Sequence, residues 1–199
     1  SIGNGVKQDI QNSISSLGSN LLMVMPGAPR TPGVRPSPGS MKSLKVADYE
    51  AIAKLDGVKA ASPMTNGGYV VIYQNKNWTT SVSGVNANYL DVNNWTMKSG
   101  RFLSEKNVQN RERVAVVGKT VVKNLFGDED PVGKEIRVKN IPFRIIGVLN
   151  SKGSGAMGND QDDMVIIPYT TAMERVDGID YLRMIYVVGK DENGIDRLQ

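Results

Sequence analysis

The sequence contains no cysteine and no histidine. That excludes thiolate nucleophiles, imidazole bases, Ser–His–Asp triads and the common zinc sites. Acid–base or nucleophilic chemistry is left to Asp, Glu, Lys, Tyr and Ser. A cysteine-free chain also leaves the redox compartment open. No apolar run approaches the ~20 residues that a transmembrane helix requires; "VAVV" and "MVII" are strand-length. Nor does either sign of charge dominate: 24 basic and 20 acidic residues leave +4. Residues 1–43 hold Lys7, Arg30, Arg35 and Lys42 against Asp9, so the remainder carries 20 basic and 19 acidic side chains. With no basic block in the body, nucleic acid is not an expected partner.

What is present fits a folded protein. The 199 residues are 40% hydrophobic, and a chain of this length buries about 70% of its unfolded surface, enough for a core without disulfide or metal. Ile2, Val6, Ile10, Ile14 and Leu17 form one helical stripe, with Gly18 placed to end it. "NLLMVM" reads as a buried strand. The stretch 26–40, "PGAPRTPGVRPSPGS", is too rich in Pro and Gly for helix or central strand and reads as a loop. Val46, Tyr49, Ile52 and Leu55 predict a helix from Lys45 to Asp56 with Gly57 as its stop. "GGYVVIY", "QNKN" and "WTTSVSGV" predict a long hairpin with a polar tip.

Further along, "ANYLDVNNW" interrupts the strands with a turn or short helix. Ser104 is placed to cap a helix through Val108. "RVAVVG" predicts a strand, "KTVVKNLFG" a helix ended by Gly127, and "KEIRVKNIPFRIIGVL" a hairpin turning at Lys139-Asn140, since Asn tolerates positive φ. Val138, Phe143, Ile145, Ile146 and Val148 are its core candidates. "MVIIP" and "RMIYVVG" predict two last strands, with Thr170 or Thr171 capping a helix between them.

Three stretches imitate functional motifs. Gly118, Lys119 and Thr120 match the tail of a phosphate-binding loop, but that motif needs a glycine five residues earlier, where Arg113 stands, and Val114–Val117 are the strand itself. "GSGAMG", Gly153 to Gly158, has the letters of a dinucleotide fingerprint but precedes "NDQDD" and a strand where a helix is required. "NDQDD" would attract no more than a weak surface cation, because counting an EF-hand loop from Asp160 places Val165 at its glycine position and Thr171 at its glutamate position. Asp128, Glu129 and Asp130, beside Pro131, read as solvated carboxylates. No catalytic, cofactor or metal residue is assigned, and no cofactor is expected.

The order of motifs is more specific than any one of them. "ISSLGSNLLMVMPG", "ADYEAIAKLDGVKAASP", "VSGVNANYLDVNNWTMKSGRFLSE", "VAVVGKTVVKNLFGDEDPVGKEIRVKNIPFRIIGVL" and "DDMVIIPYTTAMERV" cover most of the chain. In that succession it resembles the extracytoplasmic domain of MacB-type ABC transporter permeases, a family that takes in FtsX-like permeases. The resemblance implies an α+β ectodomain of two subdomains. A discontinuous porter-like α/β subdomain (1–86 and 150–199) would carry an inserted small α/β subdomain (87–149).

It also implies flanking membrane helices, a cytoplasmic ABC ATPase domain or subunit, a second permease copy and a membrane-fusion adaptor protein as partners. The uncapped first helix and the unfinished "DENGIDRLQ" fit a segment continued on both sides. The chain itself would not be an enzyme; it would couple cytoplasmic ATP hydrolysis to export by movement and contact. Relatives often carry Ser or Thr where Lys45 stands, so that helix start is expected to fray. Gln74, Asn75, Lys76, Asn77 and Trp78, at the hairpin tip, are the candidate partner contacts; the plainer role for Trp78 is packing across its own hairpin. The alternative function is an extracytoplasmic ligand-binding or sensory module with no transport role. A hydrolase ranks third, since no carboxylate pair or Ser–Lys pair has a suggestive spacing.

Overall fold

The computed structural model describes residues 21–26, 44–154 and 158–190. The first helical stripe, most of the proline-rich stretch and "DENGIDRLQ" lie outside the described residues. In chain order the elements are β1 (Leu21–Val24), α1 (Val46–Ala53), β2 (Val58–Tyr73), β3 (Lys76–Val85), α2 (Tyr89–Val92), β4 (Met97–Gly100), α3 (Glu105–Gln109), β5 (Val114–Val117), α4 (Lys119–Leu125), β6 (Glu135–Val138), β7 (Ile141–Leu149), β8 (Met164–Pro168), α5 (Tyr169–Thr171) and β9 (Met184–Gly189). The class is α+β, with strands dominating. α5 widens into a π-helical turn, Ala172–Asp177, that ends at Gly178 with φ 62°.

The chain divides into two compact units, Ser1–Met64 with Asp180–Gln199, and Thr65–Ile179. In the first, β9 runs antiparallel between β1 and the part of β2 up to Met64. Alternation puts Leu22, Val24, Ala61, Ile185 and Val187 on one buried face. The α1 start does not rest on a bare lysine: Asp48 reaches back to accept from the Lys45 amide at 2.8 Å, the acidic half of a capping box.

The second unit closes on itself. The rest of β2 pairs with β3, β3 with β8 in parallel, β8 with β5, β5 with β7 in parallel, β7 with β6, and β6 back with β2. This six-stranded ring leaves no open edge along that path; β4 adds to β7 beyond β6. Val71, Val82, Ala115, Val117, Ile136, Val138, Phe143, Ile145, Val165 and Ile167 fill the interior, and Val121 and Leu125 of α4 join them. The expected hairpin core is found: Val138, Phe143, Ile145, Ile146 and Val148 are all buried. Its turn is also as expected, with Lys139 at φ 51° and Asn140 at φ 64°.

The unit boundaries fall at 65 and 179, not at 87 and 149. The reason is the parallel pairing of β3 with β8, Ser81↔Met164 through Val85↔Pro168, which draws the long hairpin and "MVIIP" into the barrel. Thr170 and Thr171 cap nothing. Their hydroxyls donate to the carbonyls of Val108 (2.5 Å) and Glu112 (2.9 Å), and Pro168 holds the N-cap position. Ser104 caps α3 as the sequence indicates, accepting from the Asn107 amide at 3.1 Å.

Candidate partner-contact surface

The β2–β3 hairpin carries all five residues singled out at its tip. Tyr73 and Lys76 form its last pair, so Gln74 and Asn75 make the turn, with Gln74 at φ 54°. Gln74, Asn75, Lys76 and Asn77 are exposed. Trp78 is half-buried. It stands opposite Val71, packs on the barrel core, and donates its indole N–H to Asp163 Oδ1 at 2.8 Å. Thr80 Oγ1 donates to the same oxygen at 2.7 Å. Trp78 therefore fixes the hairpin, and the exposed polar tip is Gln74 to Asn77.

A second anchor sits at the turn. The Tyr73 hydroxyl donates to Glu129 Oε1 at 2.8 Å, and Lys134 Nζ lies 3.6 Å from that oxygen. The Tyr73 ring packs against Phe126, tilted by 31°, with centroids 4.1 Å apart. The hydrogen bond to Glu129, then burial and the Glu129 charge, push the Tyr73 hydroxyl above its ordinary pKa. Glu129 is thus partnered, and Asp130 accepts from the Val132 amide at 3.1 Å. A shallow groove of about 510 Å³ runs between the tip and β6, lined by Ile72, Tyr73, Gln74, Glu129, Lys134 and Arg137 among others. A smaller one of about 230 Å³ includes Arg101 and Glu112. Those two side chains already bond the two ends of the Asn107 amide, at 3.0 and 2.7 Å.

The motif look-alikes resolve into internal contacts. At the start of α4 the Gly118 amide donates to Met164 O (3.0 Å) and the Thr120 amide to Asp162 O (3.2 Å). Those two amides are therefore engaged within the chain. In "NDQDD", Asp162 is buried; its carboxylate accepts from Ser151 Oγ (2.6 Å) and from the amides of Lys152 (2.7 Å) and Gly153 (3.1 Å). Asp160 accepts from the Asp162 amide at 2.9 Å. Among the described residues, no group of three or more acidic side chains is arranged to hold a metal ion. No local signal in the sequence marks Asp162 for burial, because its donors come from a loop nine to eleven residues away.

The profile of the MacB-like periplasmic core domain matches residues 1–199. The chain belongs to that family. This MacB-like domain is 44% identical over 200 residues to the macrolide export ATP-binding/permease protein MacB of Rhodospirillum rubrum, and 37% identical over 198 residues to the protein of that name from Marinobacter nauticus. Each match covers 100% of this chain and 30% of the relative, so the chain spans about a third of the length of these curated relatives. The crystal structure of the periplasmic region of MacB from Actinobacillus actinomycetemcomitans superposes with a TM-score of 0.73 at 27% identity, covering 87% of this chain and 76% of that one. The extracellular domain of the transporter YknZ from Gram-positive bacteria shares the fold, with a TM-score of 0.68 at 20% identity and 78% of each chain covered. Among the described residues of this MacB-like domain, no helix is long and apolar enough to cross a membrane.

Proposed function

We propose that this MacB-like domain is the extracytoplasmic moving part of an ABC transporter permease. ATP would be hydrolysed on a separate cytoplasmic domain or subunit, and the domain would pass the resulting movement to partners by contact. The observation that carries this reading is the hairpin. Its exposed tip, Gln74 to Asn77, is held by Trp78 on Asp163 and by Tyr73 on Glu129, so it is polar yet braced at both strands. A braced projection transmits displacement, whereas a floppy one absorbs it. In this reading the discontinuous unit is the porter-like part and 65–179 the inserted one. The tip meets a membrane-fusion adaptor protein or the second permease copy.

The test is crosslinking in the full-length transporter from Asn75→Cys, which is clean on this segment because it has no native cysteine. A crosslink to an adaptor or sister subunit that changes with nucleotide state is expected. No crosslink in any nucleotide state removes the tip as a contact.

A further inference from the structure

The smaller cavity, of about 230 Å³, gathers two guanidinium groups and one carboxylate around an aliphatic floor. β7 sets its geometry. Phe143 and Ile145 turn into the barrel, so Arg144 and Ile146 belong to the outer face. Arg144 lies opposite Val114 of β5, and the ladder then steps by one residue at Ile146, the kind of bulge that re-aims a side chain. Val132 completes the aliphatic lining. The polar groups stand on bonded backbone. The Arg101 amide donates to Ile146 O (2.9 Å), the Arg144 amide to Arg113 O (3.0 Å) and the Glu112 amide to Asn107 O (3.0 Å). The buried side-chain amide of Asn107 then fixes Arg101 Nη1 and Glu112 Oε2 in place. The Arg144 guanidinium has no partner among the described residues, and neither Arg101 nor Glu112 is in an ion pair there.

We propose that this cavity binds a carboxylate borne on an aliphatic residue, as a free aliphatic amino acid or the carboxy-terminal residue of a peptide presents it. The carboxylate lies on Arg144 and the aliphatic side chain on Val114, Val132 and Ile146. Charge selects the head group. Two guanidiniums against one carboxylate leave a surplus of one positive charge. One monoanion cancels it, whereas a dianion such as phosphate overshoots and meets Glu112. A planar carboxylate also matches the guanidinium fork in two parallel hydrogen bonds. Size selects the body. The volume is below the ~300–1,000 Å³ of pockets for drug-sized molecules, so it takes a group about one residue large. Because Arg101 and Glu112 are already held by Asn107, little ordering is left for binding to oppose. The inference is independent of the transporter reading.

The test is an NMR titration of the ¹⁵N-labelled 199-residue chain with leucine, N-acetyl-leucine, N-acetylglycine and leucinamide at constant pH and low salt. Saturable shifts are expected at the amides of Glu112, Val114, Gly133, Arg144 and Ile146, with a dissociation constant on the order of 1 mM for the better of leucine and N-acetyl-leucine. Leucinamide, which lacks the carboxylate, and N-acetylglycine, which lacks the aliphatic side chain, each bind about tenfold weaker or worse. Arg144→Gln weakens binding about tenfold, and its unchanged spectrum away from the cavity shows that it folds. Arg183→Gln, which removes an exposed arginine elsewhere, binds as the parent does. The first two ligands separate the sources. Leucine the tighter, with the advantage lost in Glu112→Gln, assigns a free amino acid whose ammonium group sits on Glu112; N-acetyl-leucine equal or tighter assigns a peptide end. No saturable shift at those amides, leucinamide or N-acetylglycine binding as well as the better ligand, or Arg144→Gln binding as the parent does overturns the proposal.

Discussion

The Trp78 indole N–H donates to Asp163 Oδ1 across 85 positions of sequence. Because Thr80 Oγ1 shares that oxygen, one carboxylate ties β3 to the turn before β8. Asp163→Ala leaves two donors without their acceptor and is expected to cost about 2–3 kcal/mol of stability. Trp78→Phe removes one donor and keeps a ring, at about 1 kcal/mol. Urea denaturation measures both; equal small losses would show that the bond does not brace the hairpin.

Gly118 has an ordinary extended φ of −86°, so its reason for being glycine is space. A Cβ there would stand inside contact distance of the Asp162 carbonyl oxygen, which is backbone and cannot swing aside. Gly118→Ala is expected to destabilise by about 2–4 kcal/mol. Gly68 is the comparison: a Cβ there meets nothing within 4 Å. Gly68→Ala is expected to be neutral or stabilising by up to about 1 kcal/mol. A thermal melt of the two variants reads the contrast.

The same backbone accounts for the silence of "GKT". With the Gly118 and Thr120 amides bonded to Met164 O and Asp162 O, and the strand β5 in place of a loop ahead of Gly118, no backbone wraps a nucleotide phosphate there. Isothermal calorimetry of the chain with ATP is expected to show no saturable binding. Binding that Lys119→Ala abolishes would overturn this.

Asp162 sets an acid limit. Burial alone would raise its pKa, but the Ser151 hydroxyl, the Lys152 and Gly153 amides and the Lys119 charge outweigh burial and hold it below the ordinary value. The unfolded chain then binds the proton first, near pH ~4. The stabilisation is fully present above that pH and is lost as pH falls through the lower folded value. Asp162→Asn is expected to be less stable at neutral pH and to lose less on acidification below pH ~4. Parallel stability curves for variant and parent would refute the assignment.

Tyr69 sets the alkaline counterpart. Burial, then its hydrogen bond to Asp177 and the Asp177 charge, push its hydroxyl up to about 12. A raised folded pKa gives stability that is complete below the unfolded value of ~10 and declines as pH rises towards the folded one. Ultraviolet titration is expected to show several late-titrating tyrosines, Tyr73 and Tyr186 being raised as well, and one fewer of them in Tyr69→Phe. Asp177 Oδ2 is buried without a partner among the described residues. Losing the hydroxyl therefore leaves both carboxylate oxygens unbonded, at about 1–3 kcal/mol.

The sequence by itself determined the local features. The positive φ of Lys139 and Asn140, the Ser104 cap, the stop at Gly127 (φ 62°) and the alternation of β6 and β7 each depend on a few adjacent residues, whose steric and hydrogen-bonding preferences act wherever the chain goes. The polar hairpin tip was legible for the same reason. Pairing between distant segments was decided only in the tertiary structure. Nothing local in "WTTSVSGV" says that β3 takes "MVIIP" as a parallel neighbour 83 positions away, or that Val71 meets Val138 to close the barrel. Those contacts moved the unit boundaries, turned Thr170 and Thr171 from caps into cross-links, and tied Trp78 to Asp163. They also gathered Arg101, Glu112 and Arg144 around one cavity. A strand's pattern fixes which residues share a face, but which face stays dry, and what it meets, depends on the partner strands and on the loop closures that deliver them.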